Sequence, residues 1–426
     1  MNVRDYAVVT GGYWAFTVTD GALRMLVLLY FNQLGYSPVA LAFLFLLYEL
    51  MGVVTNLVGG WVGSRTGLHR TLVAGLALQV VALLALTAPS ASWAEWAAVA
   101  YVTGFQALSG VAKDLTKTSS KSAVKHVAGD GDGALFRLVA ILTGSKNALK
   151  GVGFFVGGGL LAWIGYDAAL VALAALVATA LVVVLALLRA DIGRSKERAP
   201  LRSVLSSSTA INRLAAARVL LFASRDIWFV VALPVFLEDD LGWSSSGIGG
   251  FLAAWVIGYG AIQSVAPRLL RGRVGPAGTR ARDEAHAARS WALALAVVSG
   301  LISLAVATGV GGDAGTTLAI VGGLVVFGAV FALNSSLHSY LILAYAADDR
   351  VSIDVGFYYS ANAVGRLVGT LLSGVLYLVG GLALALAGSS LAVVATWLLS
   401  RRLPPVDAGP TVGVGGAGVS AATRPA

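Results

Sequence analysis

The chain contains no cysteine and only about half the charge of a soluble protein. Charged residues make up 12% of its 426 residues, whereas a soluble domain has roughly 25%. The lack of cysteine excludes disulfides, thiolate metal sites and cysteine nucleophiles. The lack of charge excludes a water-soluble fold, because 58% of the residues are hydrophobic and the mean hydropathy is +0.82. The net charge of +9 does not indicate nucleic-acid binding, since the basic residues stand between long apolar runs.

Motifs for the common catalytic chemistries are also absent. The sequence has no GxxxxGK[ST] phosphate-binding loop, no HExxH and no GxSxG. It therefore gives no support for direct use of ATP, for zinc-dependent hydrolysis or for a serine nucleophile. The four histidines, at positions 69, 126, 286 and 338, are scattered. We expect no enzymatic activity, no cofactor and no bound metal.

The sequence does contain many apolar runs that are long enough to cross a bilayer. A spanning helix needs about 20 mostly apolar residues, so twelve spans with short loops use roughly 400 residues. The runs are continuous rather than alternating, which favours helices over barrel strands. They predict an all-α integral membrane protein with twelve helices in two pseudo-symmetric six-helix bundles. The predicted spans are 8–33, 39–62, 70–88, 94–120, 137–163, 167–189, 213–237, 245–267, 290–309, 317–341, 356–378 and 380–400.

The charges of the loops predict how the protein lies in the membrane. One set of loops carries Lys and Arg, and the other carries only acidic residues. Because positively charged loops remain in the cytoplasm, we expect a multi-pass protein of the bacterial inner membrane with both termini cytoplasmic. The predicted organisation is a six-helix bundle (1–189), a cytoplasmic central loop (190–212), a second six-helix bundle (213–400) and a disordered cytoplasmic tail (401–426).

Two short segments recur in the second half of the chain. Residues 34–37 (LGYS) match residues 241–244 (LGWS), and residues 145–148 (SKNA) match residues 360–363 (SANA). The matches keep the same order and nearly the same offset. Parallel six-helix repeats of this kind place a substrate site between the two halves, near the middle of the membrane.

Basic residues inside the predicted spans are the best indication of the cargo. An ionised group near the bilayer centre costs roughly 3 kcal/mol or more unless it faces water or a counter-charge. Lys113 and Lys117 on span four, and Lys146 and Lys150 on span five, are each four residues apart. We expect these lysines to face a wet cavity that receives an anion. Lys121 and Lys125, further along the same stripe, fit placement at the cytoplasmic surface.

Arginines on spans one, seven and eleven extend this basic set. Asp20 and Arg24 have the favourable spacing for an ion pair within a helix, with either a structural or a functional role. Arg225 and Asp226 are adjacent, and we expect them to pair with neighbouring helices rather than with each other. Arg366 is the first candidate of the C-terminal half, because a guanidinium fork matches phosphate, arsenate or carboxylate.

The candidate site residues form two groups. Those expected to bind substrate are Arg24, Lys113, Lys117, Lys146, Lys150, Arg225, Tyr359, Asn362 and Arg366. Those expected to act in gating or coupling are Asp20, Glu49, Arg65, Asp226 and His338. Glu49 is a candidate for proton coupling, or for a pair with a cavity lysine. His338, in the polar run 334–340, either titrates near neutrality or forms hydrogen bonds between helices.

Several segments resemble known transporters. Residues 59–70 (GGWVGSRTGLHR) are similar to the cytoplasmic gating motif of the major facilitator superfamily, with Ser64 in place of the usual aspartate. Residues 154–161 (FFVGGGLL) resemble the glycine-rich packing motif of that superfamily, without its proline. Over most of the chain, segments such as 11–31, 142–155 and 354–374 (DVGFYYSANAVGRLVGTLLSG) resemble the ArsJ family of organoarsenical efflux permeases.

The resemblance implies a cargo and a functional partner. It implies export of the organic anion 1-arseno-3-phosphoglycerate, and hence arsenate resistance, with a glyceraldehyde-3-phosphate dehydrogenase that supplies the ester by using arsenate in place of phosphate. An organophosphate or phosphate exchanger, a drug exporter of the same fold and a non-transporting anion-binding receptor remain alternatives. The lipid bilayer is the other expected partner, and a monomer is the expected state. The driving force stays open at this point.

Overall fold

A computed structural model describes residues 3–66, 68–90, 92–127, 134–188, 208–271, 280–346 and 351–404. In these ranges all regular structure is helical, as the apolar runs predict. The helices are α1 (Val3–Gln33), α2 (Pro38–Leu44), α3 (Leu46–Thr66), α4 (Leu68–Ala85), α5 (Glu95–Val127), α6 (Ala134–Ile164), α7 (Tyr166–Leu187), α8 (Thr209–Phe229), α9 (Ala232–Asp239), α10 (Ser245–Arg271), α11 (Arg280–Thr308), α12 (Gly312–Tyr345) and α13 (Val351–Ser400).

These helices make twelve crossings. Two crossings consist of two helices each, with breaks at Phe45 between α2 and α3 and at Val230–Val231 between α8 and α9. Conversely, α13 contains two crossings, because its 50 residues would extend about 75 Å at 1.5 Å per residue, far more than a bilayer core of about 30 Å. The chain reverses at Gly380 and Gly381, and Gly381 has φ 61°, a conformation that favours glycine. The prediction of an all-α, twelve-helix membrane fold is confirmed.

Two predicted boundaries of the organisation differ in the structure. α8 begins at Thr209, because the Ser208 hydroxyl accepts a hydrogen bond from the Ile211 N–H and caps the helix; residues 209–212 therefore belong to the helix and not to the central loop. Residues 401–404 pack against the C-terminal half: Leu403 is buried, and the Tyr345 hydroxyl donates to the Pro404 carbonyl. The rest of the predicted loop and tail, 190–207 and 405–426, lies outside the described residues.

The recurring segment after spans one and seven has the same structure in both halves. Gly35 and Gly242 both have positive φ, 82° and 65°. The hydroxyl of Ser37 then accepts the Ala40 N–H, and the hydroxyl of Ser244 accepts the N–H three residues further on, each at 3.2 Å. A left-handed glycine followed by a serine cap thus turns the chain into the next helix in each half.

The two halves contact each other tightly at the end of the bundle that is remote from both termini. A Cβ atom at Gly158 of α6 would overlap the Ser245 carbonyl of α10, and one at Gly374 of α13 would overlap the Pro38 carbonyl of α2. Towards the other end the contact loosens, since the nearest atom to a Cβ at Gly356 would be 4.0 Å away. Small residues therefore let the halves approach where the bundle is closed.

Polar groups also hold this remote end closed. At the end of α1, the Asn32 side-chain amide donates to carboxylate oxygens of Glu238 and Asp239, each at 2.9 Å. The Gln33 amide donates to Glu238 at 2.7 Å and to the Ser245 hydroxyl at 3.0 Å. These bonds connect the N-terminal half to α9 and α10 of the C-terminal half. The structure is therefore closed at the remote end.

Candidate functional site

The centre of the molecule contains a carboxylate shared by two arginines from opposite halves. Glu49 on α3 is 1% exposed, and its Oε1 lies 2.5 Å from Nη2 of Arg24 on α1 and 2.5 Å from Nη2 of Arg366 on α13. Its burial in the membrane interior is tolerable because both guanidiniums compensate its charge. Glu49 pairs with arginines, whereas the sequence suggested either proton coupling or a pair with a cavity lysine.

A second carboxylate continues the network into the C-terminal half. Asp226 Oδ1 accepts hydrogen bonds from Arg225 Nε at 2.6 Å and Nη2 at 2.5 Å, and Asp226 Oδ2 lies 3.6 Å from Arg366 Nε. Arg366 therefore stands between Glu49 and Asp226. The prediction that Arg225 and Asp226 would pair with other helices instead of each other is wrong, because the two pair with each other. Asp226 in addition approaches Arg366 of α13.

The predicted ion pair between Asp20 and Arg24 does not form. Arg24 turns to Glu49, and Asp20 Oδ1 instead accepts a hydrogen bond of 2.5 Å from the Tyr48 hydroxyl. The Tyr48 ring also makes cation–π contacts, with Lys113 Nζ 3.9 Å and Arg24 Cζ 5.6 Å from its centroid. Tyr48 was not among the residues predicted from the sequence. Its position next to Glu49, a charged residue within a span, could have identified it, because an aromatic ring stabilises cations that are shielded from water.

Lysines complete the central site. Lys113 of α5 and Lys150 of α6 both interact electrostatically with Glu49 and Arg366, and Lys150 Nζ lies 5.7 Å from the Phe154 ring. These lysines, the arginines and the carboxylates form a central network of Asp20, Arg24, Glu49, Lys113, Lys150, Arg225, Asp226 and Arg366. These eight residues carry five formal positive charges and three negative ones. The network therefore has a surplus of two positive charges.

Lys117 lies one helical turn nearer the terminal end and pairs with Asp114, a carboxylate that also interacts with Lys113. Its Nζ lies 3.3 Å from Asp114 Oδ1 and 3.0 Å from Asn56 Oδ1. Asp114 also accepts a hydrogen bond from the Thr55 hydroxyl. Lys117 is thus paired within the N-terminal half, and the structure gives it less freedom to bind an anion than Lys113 or Lys150. Lys146 is partly buried on α6, one turn before Lys150.

The remaining candidates are dispersed. Asn362 is partly buried one turn before Arg366, and its Oδ1 has no hydrogen-bond partner. Tyr359 is exposed at 41%. His338 is fully buried on α12, where the charge acting on it is that of Arg218, and not the central network. The side chain of Arg65 lies outside the described residues.

The chemistry of the centre is that of an anion site. The described residues contain no group of three or more His, Asp or Glu side chains arranged to hold a metal ion. They do bring three arginines and two lysines together around Glu49 and Asp226. Guanidinium and ammonium groups in a site shielded from water bind carboxylate, phosphate or arsenate oxygens with charge-assisted hydrogen bonds.

Comparison with known proteins identifies the family. Residues 9–282 match the model of the Major Facilitator Superfamily. The chain belongs to the Major Facilitator Superfamily. The resemblance of its glycine-rich motifs to this superfamily is thereby confirmed at the level of the superfamily. As a member, it is a multi-pass secondary membrane transporter and not an enzyme. No curated protein matches the sequence.

Solved transporters share the fold of this superfamily member. A POT family transporter in complex with 5-aminolevulinic acid has a TM-score of 0.74 and 14% identity, with 94% of this chain and 96% of that one covered. A POT family transporter in complex with a thioalcohol-conjugated peptide has a TM-score of 0.73 and 14% identity, with 92% and 94% covered. A bacterial homologue of the iron transporter ferroportin, in the inward-facing state, has a TM-score of 0.68 and 19% identity, with 94% and 100% covered.

Proposed function

We propose that this transporter exports a small organic anion with a negative group at each end, and that the cargo is 1-arseno-3-phosphoglycerate. The cargo follows from the resemblance to the ArsJ permeases described above. The observation that carries the proposal is the sharing of one Glu49 oxygen by Arg24 and Arg366, which come from opposite halves. Arsenate resistance, location in the bacterial inner membrane and cytoplasmic termini belong to the same proposal.

Glu49 occupies the place that an anionic cargo would take. Its carboxylate receives two guanidinium hydrogen bonds, and a phosphate, arsenate or carboxylate oxygen makes the same bonds. An incoming anion would therefore compete with Glu49 for Arg24 and Arg366. Since this pairing links α3 to α13, competition would release a contact between the halves and permit them to rock around the site.

The charge of the site has the sign that an anionic cargo requires. The surplus of two positive charges in the central network offsets most of the charge of the cargo, whose phosphate group alone carries about 1.5 to 2 negative charges near pH 7 and whose arsenate group adds at least one more. In this arrangement Lys113 and Lys150 bind one end of the cargo, with Lys117 and Lys146 nearby, while Arg24, Arg225 and Arg366 bind the other. Asn362, next to Arg366 and with a free Oδ1, provides a polar contact for a hydroxyl.

The membrane potential favours export of such a cargo. Each elementary charge that crosses a potential of 100 mV changes the free energy by about 2.3 kcal/mol. Each negative charge that leaves a cell with a negative interior therefore releases about 2.3 kcal/mol per 100 mV, and a cargo with two or more negative charges releases at least twice that. Export by this route needs no ion to accompany the cargo, and it would carry current.

Two other cargoes differ in how well they fit the same site. An organophosphate or inorganic phosphate would fit it as well as the arsenate ester, so exchange of phosphate compounds is the second candidate. The ferroportin homologue with the same fold is described as a homologue of an iron transporter. A divalent cation is disfavoured here, because five cations surround the centre and a metal-binding group of three ligands is lacking in the described residues.

Arsenate resistance in a defined host tests the proposal. The host lacks its own arsenic exporters and its own glyceraldehyde-3-phosphate dehydrogenase, and it expresses the transporter, the partner dehydrogenase, both or neither. We expect resistance and lower retained arsenic only when both are present. Arg366→Gln should abolish the effect at unchanged membrane expression, whereas the control Arg213→Gln, at an exposed arginine of α8, should keep it.

An unchanged arsenic content would refute the proposed cargo. If wild-type protein is present in the membrane and arsenic retention does not change, the arsenic assignment is wrong. Counterflow of radiolabelled 3-phosphoglycerate and phosphate in proteoliposomes then decides whether the chain exchanges phosphate compounds. Absence of flux for every anion would instead favour a receptor that binds an anion without moving it.

A further inference from the structure

The C-terminal half contains a buried arginine, Arg218, for which the described side chains provide no acidic partner. Arg218 on α8 is 4% exposed, and no described carboxylate oxygen lies within the 4.0 Å of an ion pair. Its Nη1 donates to the carbonyl and to the hydroxyl of Ser335 on α12, each at 3.1 Å, and its Nε has no partner. A buried charge without a counter-charge is costly, and such charges are normally paired.

A second unpartnered group lies close to this guanidinium. His338 is fully buried, and neither of its ring nitrogens has a hydrogen-bond partner among the described residues. It stands three residues after Ser335, on the same face of α12, and the Arg218 charge acts on it. A neutral imidazole offers one N–H donor. Unused donors of two helices therefore lie in one region of the C-terminal half, because Arg218 contacts Ser335 and Ser335 stands one turn before His338.

Aromatic rings form the walls of this region and separate it from the centre. The Arg218 guanidinium carbon lies 4.1 Å from the Phe222 ring centroid and 5.0 Å from that of Tyr358. The opposite neighbour of Phe222 is Arg225 of the central network, 4.9 Å from the ring centroid. The region around Arg218, Ser335 and His338, called the Arg218 site here, is therefore adjacent to the transport site but distinct from it.

We propose that the Arg218 site binds a chloride-sized monovalent anion, held by Arg218 Nε and an N–H of His338. One uncompensated positive charge calls for one negative charge, and a monatomic anion accepts from two donors without requiring more. A phosphate or the proposed cargo would bring three or more oxygens that need further donors in an enclosed space. Asp354, one turn before Tyr358 on α13, does not take this role, since it forms no ion pair with Arg218.

Anion-dependent thermal stability tests the site without reference to arsenic. The full-length transporter is purified in detergent without chloride, and unfolding is followed while sodium chloride or bromide replaces sodium gluconate at constant ionic strength. We expect the halides to raise the Tm by a few degrees and to saturate, since a ligand that binds only the folded state stabilises it. Arg218→Gln should lose this shift.

Two variants locate the effect. Arg366→Gln, in the transport site, and Arg213→Gln, at an exposed position of α8, should both keep the halide-dependent shift. A wild-type protein without the shift, a shift that persists in Arg218→Gln, or a shift lost in Arg366→Gln would each overturn the assignment. If His338 binds only ordered water and no anion, the wild-type protein will show no halide-dependent shift.

A direct measurement covers the case in which Arg218→Gln does not fold. Crystals of the wild-type protein grown in sodium bromide should show an anomalous peak within hydrogen-bonding distance of Arg218 and His338. A peak there supports the proposal, and its absence overturns it. The site stands apart from the proposed function, because halide binding by a protein that fails to export the arsenate ester would refute only the cargo.

Discussion

Replacement of Glu49 by glutamine tests the idea that this carboxylate competes with the cargo. Glu49→Gln keeps the size of the side chain and removes the charge shared by Arg24 and Arg366. Removal of one partner from a buried ion pair costs about 3–5 kcal/mol. Since glutamine keeps an oxygen that accepts hydrogen bonds, we expect a loss of about 3 kcal/mol and a Tm lower by several degrees.

The same substitution should strengthen binding of the anion. In the variant, an anion no longer has to displace a carboxylate from the two guanidiniums. The substitution lowers the stability of the empty protein, and the bound anion restores the missing negative charge, so the lost free energy of folding reappears as free energy of binding. Because 1.4 kcal/mol corresponds to a factor of ten, 3 kcal/mol allows tightening by about 100-fold. Transport should nevertheless slow, because Glu49 is no longer present to reclaim the arginines when the cargo leaves.

Binding and flux of a stable analogue measure both effects. 3-Phosphoglycerate carries a phosphate and a carboxylate and does not hydrolyse during the experiment. Its Kd is measured on purified protein, and its exchange is measured in proteoliposomes, for the wild type and for Glu49→Gln. The matched control is Glu95→Gln, an exposed glutamate at the start of α5. An equal or weaker affinity in Glu49→Gln would refute competition and assign Glu49 a purely structural or proton-binding role.

Three further substitutions test the packing, the closed end and the site. Gly374→Ala should lower the Tm and the yield of folded protein, because its methyl group overlaps a backbone carbonyl and overpacking costs about 1–3 kcal/mol; Gly11→Ala, with no atom within 4 Å of the added carbon, should leave both unchanged. Gln33→Leu removes two hydrogen bonds at the remote end, so a reporter cysteine placed deeper on α1 of this cysteine-free chain should react faster with an impermeant maleimide added from that side. Tyr48→Phe deprives buried Asp20 of its donor while keeping the ring, and we expect about 1–3 kcal/mol lower stability by thermal unfolding, with an unchanged Tm contradicting that role.

The helices were predictable because the length of an apolar run is set by the bilayer. Most predicted span ends agree with α1–α13 to within about five residues, and the largest difference, about ten residues at the start of α11, exceeds the roughly 2–4 residues usual for boundaries. The break at Phe45 was not predictable, since the sequence there is as apolar as its surroundings. The break at Val230–Val231 does have a sequence signal in Pro234, because a proline lacks the N–H that would bond to the carbonyl four residues earlier. At this break the Ser373 hydroxyl accepts the N–H groups of Val231 and Ala232 at 3.1 and 3.0 Å.

The site was predictable as a set of residues but not as a set of pairs. Charges within spans are expensive, so Arg24, Glu49 and Arg366 could be selected from the sequence alone. The spacing rule that suggested the Asp20–Arg24 pair describes helices in water, where no better partner competes. In the bundle, Arg24 reaches a carboxylate on another helix, and Glu49 meets Arg366 across 317 positions of sequence. Only the packing of the two halves brings those groups together.

The two-glycine reversal in α13 has a mechanical consequence. Spans eleven and twelve are joined with no loop to absorb displacement, and Arg366 stands about four helical turns before the reversal. The second limb is fixed to α11, where Ser303 donates to the Ala383 carbonyl and Ser390 to the Ala296 carbonyl, each at 2.8 Å. Only the backbone of Gly380 and Gly381 therefore separates the limb that carries Arg366 from the limb fixed to α11, so a tilt of the first limb either changes the backbone angles of these two glycines or moves α11 with it.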